Sequence, residues 1–230
     1  SRGEIPENPI RGFERLYDGD RSDRIWLEGD IKRFMEGAPL ELQQALILAL
    51  HTGQRYGDLV RLRWADYDGE TITLRQSKGD RTVAVTATAA LRAMLDGMDR
   101  RGPFILTRPD GRPWFTEKDD KALGKAWHAR MKESGIYSKD WEEMTKEEKR
   151  EQLHFHDIRG TAVTLLSEAG ATPQQIAGLT GHTIKSVYTI LEKYMARTPA
   201  LSKAAIIAFE NAPATKFANQ LQTTSAKGSA

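Results

Sequence analysis

Four segments of this chain gather residue types suited to phosphodiester chemistry: HTGQRYGDLVRLRWAD at 51–66, QSKGDR at 76–81, HFHDIRGTAVT at 154–164 and TGHTIKSVYTILEKYMART at 180–198. Attack on phosphorus builds extra negative charge on the phosphoryl oxygens. Guanidinium groups such as Arg55 and Arg159 stabilise that charge through paired hydrogen bonds. Lys78, His156 and His182 have the right chemistry for general acids or bases, and a tyrosine, Tyr188 or Tyr194, could attack phosphorus and hold it covalently.

Each member has a plainer reading when taken singly. A helical arginine is usually a solvated surface group, and Lys78 could be an ordinary turn residue. His156 and His182 could be satisfied by backbone groups or helix caps, and a lone tyrosine usually packs in a core. The ordered set of four segments outweighs these readings.

The elements that must position these groups follow from periodicity. Residues 27–35 read as a short helix with Glu28 and Asp30 in its first turn. Pro39 opens a stronger one, with Leu42, Ala45, Leu46, Ala49 and Leu50 at helical spacing, and Gly53 interrupts it. A second helical run follows through Asp58, Leu59 and Leu62, and DGE at 68–70 marks a turn. TITLRQ and RTVAV, joined by SKGD, predict a β-hairpin with Lys78 at its tip.

Helices are expected again over 88–98 and 117–133, with the Pro- and Gly-rich stretch RGPFILTRPDGRP, a candidate short strand, between them. Residues 138–152 read as an exposed, charged insertion with room for a helical turn. Helices over 155–169, 173–179, 184–195 and 198–211 complete the pattern.

Composition bounds the rest. A hydrophobic fraction of 39% with 5 Trp and 7 Phe is enough for one good-sized core. The absence of cysteine excludes disulfides, thiolate zinc sites and a cysteine nucleophile. No apolar run approaches the roughly 20 residues of a membrane span, and the first residues lack the pattern of a signal peptide. A cytoplasmic protein without a membrane partner is the simple expectation. A net charge of +2 does not by itself decide for or against nucleic acid. Residues 1–28 read as a linker or arm following a further N-terminal domain, 29–211 as the catalytic domain, and 212–230 as a disordered tail.

Over about residues 30–210 the chain resembles the tyrosine recombinase, or phage integrase, family. Thr52-Gly53-Gln54-Arg55-Tyr56-Gly57-Asp58-Leu59, with Leu62, Trp64 and Asp66 beyond it, is similar to the family's first box, so that Arg55 matches its first catalytic arginine. Asp58 falls where the family has a supporting acid. Lys78 looks like the hairpin lysine, with Arg81 in the strand after it. His156-Asp157-Ile158-Arg159, continuing into Gly160-Thr161-Ala162, matches the His-x-x-Arg box. Leu179-Thr180-Gly181-His182 matches the third. Register with Arg159 selects His156 over His154, which is left as a flanking or DNA-facing residue.

The departure lies at the nucleophile. Many members carry their tyrosine at the position of Leu191 here, whereas Tyr188 lies six residues after His182 and Tyr194 twelve. ILEKYMART resembles a family variant with extra residues before the tyrosine, which favours Tyr194, with Tyr188 as the alternative.

The resemblance implies the family's catalytic-domain fold, mainly α with a small antiparallel β-sheet (α+β). It implies site-specific recombination of double-stranded DNA through a 3′-phosphotyrosyl intermediate, with no cofactor and no metal. Arg55, Arg159 and His182 would bind the non-bridging oxygens, Lys78 would protonate the leaving 5′-oxygen and His156 would assist the proton of Tyr194. Relatives act as tetramers on DNA through a Holliday junction, and the isolated chain could be a monomer. The 198–211 helix could dock on a neighbouring subunit or fold back on its own domain. Type IB topoisomerase-like relaxation and a non-catalytic DNA-binding relative are the competing readings.

Overall fold

The computed structural model describes residues 21–116, 121–138 and 140–195, together with 202, 203, 206 and 207. Residues 1–20 of the expected arm, the expected tail and most of the expected 198–211 helix lie outside the described residues. The four described positions of that helix are helical.

Helix α1 (Glu28–Met35) starts where the Asp30 carboxylate accepts from the Leu27 amide at 3.0 Å, and it buries Phe34. Helix α2 (Leu40–Thr52) buries Leu42, Ala45, Leu46, Leu48 and Ala49, and stops at Gly53 in the left-handed conformation. The helical run expected after Gly53 is one turn, α3 (Tyr56–Leu59), followed by a 3-10 turn at Trp64–Asp66.

Strands β1 (Thr71–Arg75) and β2 (Thr82–Thr86) pair antiparallel, with Leu74 opposite Val83 and Ile72 opposite Val85. Those four side chains face the core and the alternate positions face solvent, the period of two that the sequence carries. The Pro- and Gly-rich stretch forms no strand; it is pinned by single bridges at Phe104 and between Thr107 and Pro113.

Helix α4 (Ala89–Asp96) is capped by the Thr88 hydroxyl. Helix α5 (Ala122–Glu133) carries Leu123, Trp127 and Met131 inward, as their spacing predicts. The segment expected to be an exposed insertion does contain a charged helix, α6 (Lys146–Glu151), with no buried residue. Its start, however, is anchored. Trp141 is buried and stacks on Tyr137 at 3.9 Å between ring centroids, and His128 packs edge-on against it.

A 3-10 turn (Phe155–Asp157) leads directly into α7 (Ile158–Glu168). Helix α8 (Pro173–Thr180) opens with a capping box between Thr172 and Gln175 and ends at left-handed Gly181. Helix α9 is Ile184–Met195. The main core runs from Trp26 and Phe34 through the hairpin to Trp127, Met131 and Ile158. A smaller one, built on Val163, Ile176, Val187, Ile190 and Leu191, joins α7, α8 and α9. Among the described residues no helix is long and apolar enough to cross a membrane.

Candidate active site

The two glycine-terminated helices bring the first and fourth sequence segments together. Gly53 and Gly181 have φ of 60° and 70°, which glycine adopts without a β-carbon clash. Both are also closely packed: a β-carbon at Gly53 would lie 2.7 Å from Thr180 Cγ2, and one at Gly181 would lie 2.6 Å from Gln76 Cδ. The turn after Gly53 sets Arg55 at the N-cap of α3, and the turn after Gly181 presents His182.

Gln76 joins these turns to the hairpin. Its Nε2 donates to Gln54 Oε1 at 2.6 Å and to the Thr180 carbonyl at 3.0 Å, while its Oε1 accepts from Arg55 Nη1 at 3.1 Å. Gln54 in turn donates to the Thr52 and Leu179 carbonyls at 2.9 and 3.1 Å. Sequence reasoning assigned neither glutamine a role. The available signal was Gln76 itself, the next inward position after Ile72 and Leu74, where a polar side chain must find partners inside. Asp58 completes the junction: its Oδ1 accepts from the Ser77 amide at 2.9 Å, and Oδ2 lies 4.0 Å from Arg55 Nη1. The hairpin tip carrying Lys78 is thereby tied to the turn carrying Arg55. Arg81 adds a bond of 3.2 Å to the His182 carbonyl.

Arg159 lies in the first turn of α7 and is 4% exposed. Its Nη1 donates to the carbonyls of Gly53 and, at 2.7 Å, Thr180, but its buried Nη2 has no hydrogen-bond partner. Burial, with the neighbouring charge of Arg55, pushes its pKa down to about 9, only partly opposed by Asp58. The group is still a cation at neutral pH, but one that an incoming anion would stabilise.

His182 is pushed down to about 3 by burial first, then by Arg159, Arg55 and His156. Its Nδ1 lies 2.8 Å from Thr180 Oγ1, and that hydroxyl is also 2.7 Å from the Ile176 carbonyl. His156 sits at the rim, exposed on one side. Its pKa is lowered chiefly by the protein packed around the ring; Arg159, Arg21 and Arg55 lower it further, and Asp157 opposes them. Both rings are therefore neutral at neutral pH.

Arg55, Lys78, His156, Arg159 and His182 line one cleft of about 260 Å³. Five of the six predicted site residues thus meet in one place. The cleft wall also includes Arg21, Ser22, Arg24 and Ser186, which the four sequence segments either did not contain or did not single out.

Tyr194 does not line the cleft. It is 8% exposed, and its hydroxyl donates to the Glu168 carboxylate at the end of α7. Its place on α9 is nevertheless telling. Ser186 and Ile190 line the cleft, and Tyr194 is the next member of the same four-residue stripe, about 6 Å further along the helix axis. Tyr188 projects to roughly the opposite side of α9 and is 54% exposed. His154, the candidate DNA-facing residue, is half-buried instead. Its Nε2 is 3.0 Å from the Lys149 carbonyl and its ring packs beside Tyr137 and Trp141.

A mainly helical domain with a small hairpin thus gathers Arg55, Lys78 and the buried Arg159 in one cleft, an arrangement chemically suited to an oxyanion. The chain is a member of the phage integrase family, whose model matches residues 28–200. It is 28% identical to the integrase of Salmonella phage P22 over 159 residues, covering 63% of this chain and 37% of that protein. It is 28% identical to the integrase of Escherichia phage HK022 over 96 residues, covering 41% of this chain and 27% of the relative. The chain thus spans about a quarter to just over a third of these relatives' lengths.

Among solved structures it is similar to the lambda integrase catalytic core, with TM-score 0.53 and 24% identity, covering 69% of this chain and 91% of that one. It is also similar to the XerA recombinase, with TM-score 0.57 and 21% identity, covering 84% and 66%. These likenesses bear out the mainly helical fold with its small antiparallel sheet.

Proposed function

We propose that this domain carries out site-specific recombination of double-stranded DNA, breaking and rejoining strands through a 3′-phosphotyrosyl bond to Tyr194. The observation that carries the reading is Arg159: a buried guanidinium in a basic cleft, with one amino group unpaired and its pKa lowered by burial and by the charge of Arg55. A DNA phosphodiester supplies that anion. Residues 29–211 act as the catalytic unit, 1–28 as an arm and 212–230 as a tail, with the protein working on DNA in the cytoplasm.

Arg55 and Arg159 bind the non-bridging oxygens from two sides and stabilise the charge that grows in the transition state. His182 adds a hydrogen bond from Nε2. For that its Nδ1 must accept, which the Thr180 hydroxyl permits by turning its proton from the Ile176 carbonyl to the ring. Tyr194 leaves Glu168 and swings towards the cleft. As its oxygen bonds to phosphorus, its proton passes to neutral His156, the P–O5′ bond breaks, and the Lys78 ammonium gives a proton to the departing 5′-oxygen. Attack by the 5′-hydroxyl of a partner strand reverses each transfer. The phosphotyrosyl bond keeps the energy of the broken linkage, so the residues present suffice without nucleotide or metal.

The stripe of Ser186, Ile190 and Tyr194 supports Tyr194 over Tyr188. Solved relatives include a lambda integrase dimer on a core site and a tetramer on a Holliday junction. A homotetramer on paired sites is the corresponding assembly proposed here.

The test is incubation with a library of nicked duplexes of randomised sequence, followed by recovery of adducts that survive SDS. Wild type should form adducts, Tyr188→Phe should keep them and Tyr194→Phe should lose them while still binding DNA. DNA binding without any adduct would make the protein a non-catalytic relative. Relaxation of supercoiled DNA by a monomer without strand exchange would make it topoisomerase-like.

A further inference from the structure

Residues 21–26 cross the turn that carries His156 and Arg159, and one ion pair makes the main tie. Arg21 sets Nε and Nη2 against the two carboxylate oxygens of Asp157, at 2.8 and 2.6 Å. Its guanidinium also donates to the carbonyls of Arg150 and, at 2.7 Å, Gln152. The Asp157 side chain is wholly buried, and its Oδ2 accepts from the His154 amide at 2.7 Å. Two further bonds hold the crossing: the Trp26 amide donates to Thr161 Oγ1 at 2.8 Å, and Trp26 Nε1 donates to the His154 carbonyl at 3.0 Å.

We propose that Arg21 is a positioning residue of the cleft: through its fork on Asp157 it sets the turn that aims His156 and Arg159, so the segment entering the domain governs the reactivity of the site. This rests on the reading of the cleft given above. Asp157 stands between the two residues it would position, one after His156 and two before Arg159. A bidentate guanidinium fixes the plane of a carboxylate as well as its distance. A buried carboxylate deprived of its cation is strongly unfavourable, so the turn would rearrange rather than keep Asp157 in place without Arg21.

Charge gives a second consequence. The charged and titratable groups facing His156 are Asp157 and Arg159 from its own turn and α7, Arg21 from the crossing segment, Arg55 before α3 and His182 after α8. Arg21 and Asp157 act on the ring with opposite sign. Removing the charge at 21 leaves only Arg159 and Arg55 opposing Asp157 at the ring and so favours the imidazolium.

The experiment has one arm without DNA. Ring resonances of the histidines are titrated by NMR, with His156 assigned through His156→Gln. In Arg21→Gln the His156 pKa should rise by a few tenths of a unit to about one unit. In Arg21→Lys, which keeps the charge, it should stay near the wild-type value. The second arm measures adduct formation on a nicked duplex recovered from the randomised library. Both variants should slow it by roughly 10- to 100-fold at saturating DNA, because an ammonium cannot hold the fork, while DNA affinity stays near that of wild type.

A folded Arg21→Gln with wild-type titration and wild-type rate overturns the proposal. So does a loss confined to DNA affinity, which would make Arg21 a phosphate contact instead. Should Arg21→Gln fail to fold, the rate of Arg21→Lys decides. If wild type forms no adduct, the recombinase reading fails, and the His156 titration still reports on Arg21.

Discussion

The α-carbon of Gly181 lies so close to the side-chain amide of Gln76 that an added β-carbon would come within 2.6 Å of its Cδ. Gln76 cannot retreat, because it is 1% exposed and bonded to Gln54, Thr180 and Arg55. Gly181→Ala should therefore destabilise the domain by roughly 2–4 kcal/mol, from the left-handed backbone and the displaced amide together. Gly178→Ala, in the interior of α8 with nothing within 4 Å, should instead stabilise by about 0.5–1 kcal/mol. Urea unfolding of the two variants checks the contrast.

Gln76→Leu keeps the volume and removes the three bonds that tie Arg55 and Gln54 to the fourth segment. Adduct formation should fall by about 10- to 100-fold, since a misaimed guanidinium loses its fit to the transition state. DNA affinity should change far less. Rates at saturating nicked duplex separate the two effects.

Tyr194 must break its bond with Glu168 before it can reach the cleft. Glu168→Ala should raise the rate of adduct formation by roughly tenfold, because a hydrogen bond of this kind contributes about 1.5 kcal/mol. A rate equal to wild type would mean that this bond does not hold the tyrosine back.

All five histidines are held below their ordinary pKa, burial being the leading cause at each; His182 falls furthest, to about 3. Below about pH 6.5 the unfolded chain takes up protons that the folded one refuses. Stability should be full above that value and fall as the pH descends towards 3. His182→Gln should flatten part of the slope, as read from urea midpoints across that range.

Trp141 is the anchor of the 138–152 segment, stacked on Tyr137 and edge-on to His128. Trp141→Ala should cost about 3–5 kcal/mol, the range for a large buried aromatic. A surface insertion would lose less than about 0.5 kcal/mol. Thermal unfolding distinguishes the two.

The helices, the hairpin and the five predicted residues that line the cleft were legible in the sequence because they rest on local signals. Helical and alternating periodicity named α2, α5, β1 and β2, and glycine and proline marked their ends. What the sequence left open is non-local. Trp141 read as part of an exposed insertion and His154 as a flanking or DNA-facing residue, because the aromatic cluster they form with Tyr137 and His128 depends on the path of the chain between them. Gln54 and Gln76 looked ordinary because a buried amide is recognised by its partners, which here lie up to 125 residues away.

The sequence by itself determined the chemistry on offer: two arginines, a lysine, two histidines and a choice of tyrosines, each in a segment with its own local geometry. The tertiary structure decided how those groups stand. It buried Arg159 with one amino group unpaired, placed Tyr194 on the cleft-lining stripe of α9 with its hydroxyl on Glu168, and laid Arg21 over Asp157. Burial and charge pairing depend on which distant segments meet, and spacing along the chain does not encode that.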